Sequence, residues 1–529
     1  MKSLTLAVAA ASGFATAAAE APPDFRWARQ AGSSDIDVGY GIALDGPGNV
    51  FVTGFFSGTC SLGTTNLANS GIEDIFLAKY DPAGRLLWAR KAGGIGYDEG
   101  RAVAADAVGN AYVVGLFQGT ASFGSTNLNS AGESDIFIAK YDAAGNLLWT
   151  RRAGGSDFDE AYGLAVDAAG NAYLTGYFTG PVTFGSTTLP GLSGSNNVFV
   201  AKCDGSGNFL WARSAGGDAD DQGNAVVVDS ATNVYVTGAF AGTIAFASTN
   251  LSATGTNGAN DVFVAKYNGA GTLLWVRKAG GATDDTGNGI VAAAGGSAYV
   301  TGKISGTAAF GSTNVTASGT DLFLAKYDAA GNPLWVRKAG GNNSIYGDGG
   351  HSVKLDTAGN PCVAGFFSGT ANFGPTNLAT TGLDDLVVAK YDSTGNLLWV
   401  RKAGGGDLDV AYALDVDAAD NICMTGFFVG TAAFGATNLL ASSPSPDRDI
   451  FVAKLGSPSP PRLTIAKSGS DVLLSWPAPA VEFVLESTPD IPAHVWNMVQ
   501  AQTNTSGTSR TATLPASGPR TFFRLRRQP

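Results

Sequence analysis

Residues that build reactive centres are scarce in this chain of 529 residues, which contains 4 cysteines and 2 histidines. No two cysteines have the C-x-x-C spacing, and no histidine-rich pattern of metal ligands occurs. A G-x-S-x-G nucleophile motif and a phosphate-binding loop are also absent. The sequence therefore contains no recognisable catalytic motif, and we expect neither a cofactor nor enzymatic activity.

Charge and long apolar runs are also limited. Charged residues make up 15% of the chain, and the formal net charge is −11. An acidic surface repels phosphate groups, so nucleic acid is not an expected partner. After the N-terminal segment no stretch of about 18 apolar residues occurs, which argues against a transmembrane segment.

The first 19 residues have the features of a signal peptide. Lys2 precedes an apolar stretch that begins at Leu4, and the small residues Ala17, Ala18 and Ala19 form a cleavage site. We therefore expect a secreted or cell-surface protein.

What the sequence has in abundance is repetition. Tryptophans recur at intervals of 61, 61, 62, 64, 60 and 64 residues, each with an arginine two positions later. They are Trp27, Trp88, Trp149, Trp211, Trp275, Trp335 and Trp399. In each copy, short runs of β-branched and aromatic residues alternate with turns of the D-x-x-G-N type, which is typical of four antiparallel strands. Seven such modules predict an all-β, seven-bladed β-propeller over residues 20–455.

The two ends of the repeat array complement each other. Residues 25–29 form a tryptophan strand with no preceding strand, and residues 450–454 form a third strand with no tryptophan strand after it. We predict that these two segments pair, so that the N-terminal strand closes the ring and leaves no open edge there.

Two recurring sequence patterns resemble those of a known repeat family. D-I-F-L-A-K-Y-D-x-x-G-x-L-L-W-A-R-x-A-G-G and V-D-A-A-G-N-A-Y-x-T-G-x-F resemble the seven-bladed β-propeller repeat family of bacterial surface and secreted proteins. The resemblance covers about residues 25–455 and is satisfied in seven copies. It implies the fold and an extracellular setting, and it brings no catalytic motif.

The C-terminal part of the chain has a different pattern. A linker rich in proline and serine, residues 456–461, ends the repeats. Residues 462–529 contain alternating strands around Trp476 and Trp496, and they resemble a small fibronectin type III-like β-sandwich of the kind appended to bacterial secreted proteins. Such a domain serves as a sorting or attachment module or as a passive appendage, and the sequence leaves both open.

The cysteines indicate no disulfide framework. Cys203 stands where five other copies have tyrosine, which indicates a core substitution. Cys362 and Cys423 occupy the same position in adjacent repeats, where side chains that point the same way are not expected to meet, and Cys60 has no nearby partner in sequence.

Charged residues recur at fixed positions. Arginine follows each tryptophan at +2, a lysine lies in each third strand, and an aspartate precedes that strand in six copies, with Asn197 in the third. Sevenfold repetition favours packing and ion pairing between repeats over ligand binding.

A further aspartate, here called the leading aspartate, opens the first strand of every repeat. These residues are Asp37, Asp98, Asp159, Asp221, Asp285, Asp348 and Asp409. Calcium binding is an alternative role for them, but calcium requires 6–8 oxygen ligands in one place and no D-x-D-x-D-G loop occurs. We expect them to cap turns, and we expect no metal site.

The repeats differ in length at two places only. The span from Thr53 to Asp74 and its equivalents is 21, 21, 22, 24, 20, 21 and 24 residues. The span from tryptophan to the leading aspartate is 10 residues in six copies and 13 between Trp335 and Asp348. In a propeller both connections lie on one face, here called the variable-loop face. Because loops that vary commonly carry binding, we predict that this is the functional face.

One position on that face differs in chemistry from copy to copy. Three residues after the leading aspartate, the repeats carry a set here called the collar: Tyr40, Arg101, Tyr162, Asn224, Asn288, His351 and Tyr412. In a closed ring these side chains surround the mouth of the central channel. They are expected either to bind a glycan or peptide ligand or to be simply solvated.

Charges also occur in the innermost strands of the last two repeats. Lys354 and Asp415 replace the small Ala or Val of the other five copies. Since an unpaired ion is costly where repeats converge, we predict an ion pair between them.

Taken together, these patterns predict a secreted, monomeric, non-enzymatic binding scaffold. The alternative is a polysaccharide-active enzyme, a glycosidase or lyase, that uses carboxylates at the channel mouth.

Overall fold

The structure is a computed structural model with two compact units, Met1–Gly456 and Ser457–Pro529. In the first unit it describes residues 22–191, 195–255, 258–341, 347–443 and 447–456. In the second it describes 463–468, 471–477, 483–488, 496–499, 503–506, 509–515 and 521–527. The predicted signal peptide and the linker after Gly456 lie outside the described residues.

The described part of the first unit contains seven groups of four antiparallel strands, numbered here as repeats 1 to 7. Repeat 1 contains Asp37–Leu44, Val50–Phe56, Asp74–Tyr80 and Leu86–Ala92; repeat 2 contains Glu99–Ala105, Ala111–Phe117, Asp135–Tyr141 and Leu147–Ala153; repeat 3 contains Asp159–Val166, Ala172–Thr179, Asn196–Cys203 and Phe209–Gly217. Repeat 4 contains Asp221–Val228, Val234–Phe240, Asp261–Tyr267 and Leu273–Gly281; repeat 5 contains Thr286–Ala292, Ala298–Phe310, Thr313–Tyr327 and Pro333–Ala339. Repeat 6 contains Gly349–Leu355, Pro361–Phe373, Thr376–Tyr391 and Leu397–Gly405; repeat 7 contains Asp409–Val416, Ile422–Val429, Arg448–Gly456 and Asp24–Ala31. One 3-10 helix, Ala294–Gly296, interrupts the strands of repeat 5.

The N-terminal strand completes the last sheet. Asp24–Ala31 pairs antiparallel with Arg448–Gly456, with Trp27 opposite Lys454 and Ala31 opposite Ile450. The predicted pairing of residues 25–29 with residues 450–454 is therefore confirmed. The first strand of repeat 7 also packs beside the first strand of repeat 1.

A short β-hairpin before each third strand was not foreseen. In five repeats it consists of separate strands: Thr59–Leu62 with Thr65–Ala68, Thr120–Phe123 with Thr126–Asn129, Val182–Phe184 with Thr187–Leu189, Thr243–Phe246 with Thr249–Ser252, and Thr431–Phe434 with Thr437–Leu440. In repeats 5 and 6 the hairpin is continuous with the second and third strands.

The hairpin pairs with the end of the preceding repeat's fourth strand. Ser61 of repeat 1 bridges Gly32 of repeat 7, and Phe246 of repeat 4 pairs with Ala215 of repeat 3. Most of the span that was expected to be a variable loop is thus a β-hairpin that links neighbouring repeats. Only the segment after the hairpin is a loop. A repeated F-G-x-T-N-L signal was present, since Gly63 and its equivalents adopt the positive φ of a tight turn.

Neighbouring repeats approach closely where the first strand of one meets the second strand of the one before. A Cβ atom at Gly100 would overlap Thr53 Oγ1 of repeat 1, and the same holds at four other junctions. A methyl group occurs only where the facing residue lacks that hydroxyl. The pairs are Gly39 with Thr425, Gly100 with Thr53, Ala161 with Val114, Gly223 with Thr175, Gly287 with Thr237, Gly350 with Thr301, and Ala411 with Ala364.

The tryptophan and the arginine of each fourth strand hold the next repeat. Trp27 Nε1 donates to Pro82 O at 3.1 Å, and Arg29 Nε donates to Gly84 O at 2.8 Å. Gly84 has a φ of +75°, and a Cβ atom there would overlap the Trp27 indole. The arginines therefore join repeats through carbonyl hydrogen bonds.

The recurring lysine ion pairs lie within repeats, which corrects the prediction that they join repeats. Lys79 Nζ lies 3.2 Å from Asp45 of the first turn in the same sheet, and Lys91 Nζ lies 2.9 Å from Asp74. Among the recurring arginines, Arg401 of repeat 6 does pair with another repeat, since its Nη2 lies 3.1 Å from Asp24 Oδ1 of repeat 7.

Six of the seven leading aspartates cap turns, as predicted, whereas the two buried carboxylate oxygens of Asp221 accept no hydrogen bond. Asp98 accepts from Gly94 N at 2.6 Å and from Gln118 N at 3.1 Å, and its side chain is fully buried. Burial raises its pKa to about 7, and the nearby Asp74 carboxylate adds to this rise. Across the seven repeats, burial raises the pKa of the leading aspartates to values between about 6 and about 8.

The C-terminal unit contains two antiparallel sheets. One holds Thr464–Ser468, Asp471–Pro477, Ser509–Pro515 and Thr503–Ser506, and the other holds Asn497–Met498, Phe483–Thr488 and Phe522–Arg527. A single buried cluster that includes Leu474, Trp476, Leu485 and Leu525 draws residues from both sheets.

The close approach at the repeat junction can be tested with Gly100→Ala. We expect it to lower the free energy of unfolding by about 1–3 kcal/mol, because the new methyl group overlaps Thr53 Oγ1. Thr53→Ala removes the overlap and a hydrogen bond to Phe76 O, so the double variant should be less destabilised than the sum of the two single changes. Denaturant unfolding measures this. The control is Gly46→Ala, where a Cβ atom would meet nothing within 4 Å; equal losses at Gly46 and Gly100 would contradict the packing argument.

The buried aspartates also predict a pH dependence of stability. The native leading aspartates keep their protons to higher pH than the unfolded chain, whose aspartates titrate near 3.8, so this stabilisation is lost as pH rises from about 4 to about 8. Turn aspartates act oppositely, since hydrogen bonds from Asn146 lower the pKa of Asp142 and its contribution is lost in acid. We expect the melting temperature to be highest near pH 4–5. Asp98→Asn should flatten the fall above that optimum; an unchanged slope would exclude the leading aspartates as its cause.

Candidate functional site

The first strands of all seven repeats line one central cavity with a volume of 530 Å³. All seven collar residues face it, together with Lys354 and Asp415. Apart from Gln222, its lining begins at the collar and runs to the ends of the first strands, at residues such as Leu44 and Val228. The cavity therefore extends from the collar, on the variable-loop side, towards the D-x-x-G-N turns.

Each collar residue is the extra residue of a β-bulge. In repeat 1, Gly39 pairs with Gly54 and Gly41 pairs with Thr53, so Tyr40 has no partner in the second strand. The same shift occurs at the equivalent point of the other six first strands. A bulge redirects the side chain of its unpaired residue, which explains why seven different side chains all face the cavity.

One side of the collar is a continuous stack of aromatic and cationic groups. The ring centroids of His351 and Tyr412 lie 4.9 Å apart, and those of Tyr412 and Tyr40 lie 5.1 Å apart. The Arg101 guanidinium lies 4.5 Å from the Tyr40 ring and 5.3 Å from the Tyr162 ring. These five side chains are half-buried and support one another.

The other side of the collar is bonded to the backbone. Asn224 Nδ2 donates to Gly287 O at 2.9 Å, and Asn288 Nδ2 donates to Gly350 O at 3.0 Å. Each bond reaches the residue that precedes the collar residue of the next repeat, so the collar also joins repeats.

His351 continues this pattern and has a defined protonation state. Its Nδ1 lies 3.0 Å from Ala411 O, and because a carbonyl only accepts, Nδ1 carries the proton. Burial lowers the His351 pKa to about 4, so the ring is neutral at pH 7. Its Nε2 is then a hydrogen-bond acceptor.

Carboxylates gather around Arg101 without lining the cavity. Glu99 Oε2 lies 3.0 Å and Glu160 Oε2 lies 3.9 Å from Arg101 Nη2, and the Tyr162 hydroxyl donates to Glu160 at 2.8 Å. Burial raises the pKa of Glu99 and raises that of Glu73 to about 7. Asp415 is the one carboxylate in the cavity lining. The sequence analysis did not single out these glutamates, although Glu99 and Glu160 occupy the same position in consecutive repeats.

Lys354 and Asp415 lie close together across the junction of repeats 6 and 7. Lys354 Nζ and Asp415 Oδ1 are 3.6 Å apart, with side chains 43% and 20% exposed. Asp415 Oδ2 also accepts from Leu44 N at 2.9 Å, so this carboxylate reaches repeat 1 as well. The pair faces the open cavity, which makes it less buried than the prediction assumed.

Other candidate groups are placed as follows. Among the described residues, no three His, Cys, Asp or Glu side chains are arranged to hold a metal ion. The four cysteines are buried. No helix in the described part of the chain is long and apolar enough to cross a bilayer.

Comparison with known proteins supports a β-propeller repeat family. Residues 26–54 and 148–180 match the family model described as Beta-propeller repeat. The uncharacterized WD repeat-containing protein L264 of Acanthamoeba polyphaga mimivirus is 25% identical over 501 residues, covering 76% of this chain and 36% of that protein. The regulatory protein FlaEY of Caulobacter vibrioides is 26% identical over 404 residues, covering 70% of this chain and 41% of that protein. The chain thus spans about two fifths of the length of these curated relatives.

Solved structures with a similar course were also found. The polysaccharide lyase Uly1 matches with a TM-score of 0.42 and 9% identity, over 79% of this chain and 90% of that one. The WD40 β-propeller domain of Doa1 matches with a TM-score of 0.28 and 10% identity, over 68% of this chain and 92% of that one.

The ion pair beside the cavity generates a quantitative prediction. Because Lys354 is nearly half exposed, we expect a coupling energy between Lys354→Ala and Asp415→Ala of only about 0.2–1 kcal/mol. Asp415→Ala should cost more than Lys354→Ala, since it also leaves Leu44 N without its acceptor. A double-mutant cycle in denaturant measures both values, and equal costs for the two single variants would contradict the role given to Leu44.

Proposed function

We propose that the first unit is a seven-bladed β-propeller that acts as a secreted, non-enzymatic binding scaffold. Its ligand is a glycan or a peptide, held at the collar. The observation that carries the proposal is the collar itself, since seven bulges turn seven side chains of four chemical kinds towards one cavity. In this proposal the C-terminal unit is a fibronectin type III-like sandwich and the protein is a monomer.

Closure of the ring is supported by the ends of the chain. The N-terminal strand supplies the fourth strand of repeat 7, and the hairpin of repeat 1 clasps that strand through Gly32 and Ser61. The first strands then meet one another around the cavity without an open edge.

The chemistry of the collar suits a ligand with hydroxyl or amide groups. The rings of Tyr40 and Tyr412 offer apolar faces, and neutral His351 offers an acceptor nitrogen. A volume of 530 Å³ lies within the range of small-ligand pockets, roughly 300–1,000 Å³. Because the polar groups of the collar differ in kind, they can discriminate between orientations of a ligand. Packing between equivalent repeats does not require such differences.

The second candidate is a polysaccharide-active enzyme, because two carboxylates, Glu99 and Glu160, converge near the channel. A glycosidase needs one carboxyl to act as acid and another as base or nucleophile, both facing the substrate. Here Arg101 and the Tyr162 hydroxyl occupy these oxygens, and neither glutamate lines the cavity. The placement favours binding over catalysis.

A glycan and peptide array with the full chain tests the proposal. We expect Tyr40→Ala combined with Asn288→Ala to weaken binding of any array ligand on the order of tenfold, because one stacking face and one amide are lost. The control is Val108→Ala, which changes an exposed side chain in a D-x-x-G-N turn. Melting curves verify folding. Unchanged affinity in the double variant would reject the collar as the site, and release of shortened glycan products would favour the enzyme.

A further inference from the structure

The variable-loop face carries exposed apolar side chains at one repeated position. The residue before the leading aspartate is Ile36, Tyr97 and Phe158 at three consecutive junctions, with exposures of 43%, 44% and 46%. Leu408 precedes them at the junction of repeats 6 and 7 and is half-buried. These four residues are here called the rim arc. Elsewhere the position carries Asp220, Asp284 and Gly347.

The rim arc is held by short backbone bridges. Tyr97 forms a parallel bridge with Glu73, and Phe158 forms one with Ser134. Leu408 forms the same bridge with Asp384. The backbone at Tyr97, Phe158 and Leu408 is therefore tied to the preceding repeat. Apolar side chains are thus exposed at three successive junctions along one side of this face.

The loops around the rim arc are mainly acidic. Ten acidic residues and one arginine, Arg448, lie in the segments before the leading aspartates and between the hairpins and the recurring aspartate or asparagine of each third strand. These acidic residues are Asp35, Glu73, Glu133, Asp157, Asp218, Asp220, Asp284, Asp384, Asp407 and Asp447. Lysines of the fourth strands also reach these segments, as Lys91 does at Ser70 and Lys402 does at Thr381.

Acidic charge continues inward from the arc. Glu73, Glu99 and Glu160 surround a single guanidinium, that of Arg101. Three carboxyl groups therefore share one cation. Two of them, Glu99 and Glu160, follow Tyr97 and Phe158 by two residues in the chain. A positively charged group that approaches this sector meets aromatic rings whose faces attract cations.

We propose that the rim arc docks an extended, lysine- and arginine-rich segment of a partner protein. The rings of Tyr97 and Phe158 receive the cationic heads, Ile36 and Leu408 contact the aliphatic stems, and the surrounding carboxylates supply charge complementarity. The proposal rests on the proposed function only in that this face is a binding surface. It places the partner on the rim, outside the cavity that holds the collar ligand.

Charge and apolar character together select this occupant. A neutral glycan gains nothing from ten carboxylates, and a divalent cation gains nothing from exposed rings. Nucleic acid is repelled by the same charge. A basic peptide uses both features, because its side chains have apolar stems and charged ends.

The test is fluorescence anisotropy with the full chain and a labelled peptide of alternating lysine and alanine, compared with its glutamate–alanine counterpart. We expect the lysine peptide alone to bind, with an affinity that falls as sodium chloride rises. Tyr97→Ala combined with Phe158→Ala should weaken binding on the order of tenfold, because the aromatic contacts are lost while the charges remain. Val108→Ala should bind like the unchanged protein.

Separate outcomes distinguish this proposal from the collar. Tyr40→Ala with Asn288→Ala should leave the lysine peptide bound, whereas collar ligands are lost. Equal affinity of the rim double variant and the unchanged protein would overturn the rim proposal and leave the collar unaffected. Absence of peptide binding, including the case in which calcium chloride alone shifts the melting curve, would overturn it as well.

Discussion

The structure depends on how closely the first strand of each repeat approaches the second strand of the one before. At Gly100 there is no room for a methyl group beside Thr53, and a methyl is present at Ala161 and Ala411 because Val114 and Ala364 lack the hydroxyl. The bulge follows immediately after this contact in every repeat. The close packing between repeats and the placement of the collar therefore depend on the same part of the first strand. One residue packs tightly against the preceding repeat, and the side chain of the next residue, the collar residue, faces the cavity.

The sequence determined much of this architecture through local signals. Regular tryptophans, D-x-x-G-N turns and complementary ends predicted the four strands of each repeat and the pairing of Asp24–Ala31 with Arg448–Gly456. The hairpins were missed because their strands are only three or four residues long and lie in a stretch rich in Gly, Ser and Thr. Their stabilising partner, such as Gly32 for Ser61, belongs to another repeat, and such pairing leaves little trace in local periodicity.

The site was predictable to the extent that it depends on differences between copies. Comparing equivalent positions identified the collar and the proximity of Lys354 to Asp415. Predicting the bulge would require the register of the first strand against the second, which cannot be read from the sequence. Partner choice was also inaccessible, since Lys91 rather than Arg90 reaches Asp74. The two residues are neighbours in the chain, and only the strand's two-residue alternation and the surrounding backbone decide which carboxylate each one meets.

Repetition itself separates structure from recognition. The sevenfold tryptophans and arginines, and all leading aspartates but one, are bonded within the ring, as Trp27 is to Pro82 and Asp98 is to Gly94. Groups so engaged have little left to offer a ligand. At the collar and the rim the copies diverge, and the divergence is ordered. In the collar, aromatic rings and Arg101 occupy repeats 6, 7, 1, 2 and 3, whereas amides occupy repeats 4 and 5. A ring of equal modules thus acquires two unlike sides, and a surface with unlike sides can hold an asymmetric partner in one orientation, which identical copies never could.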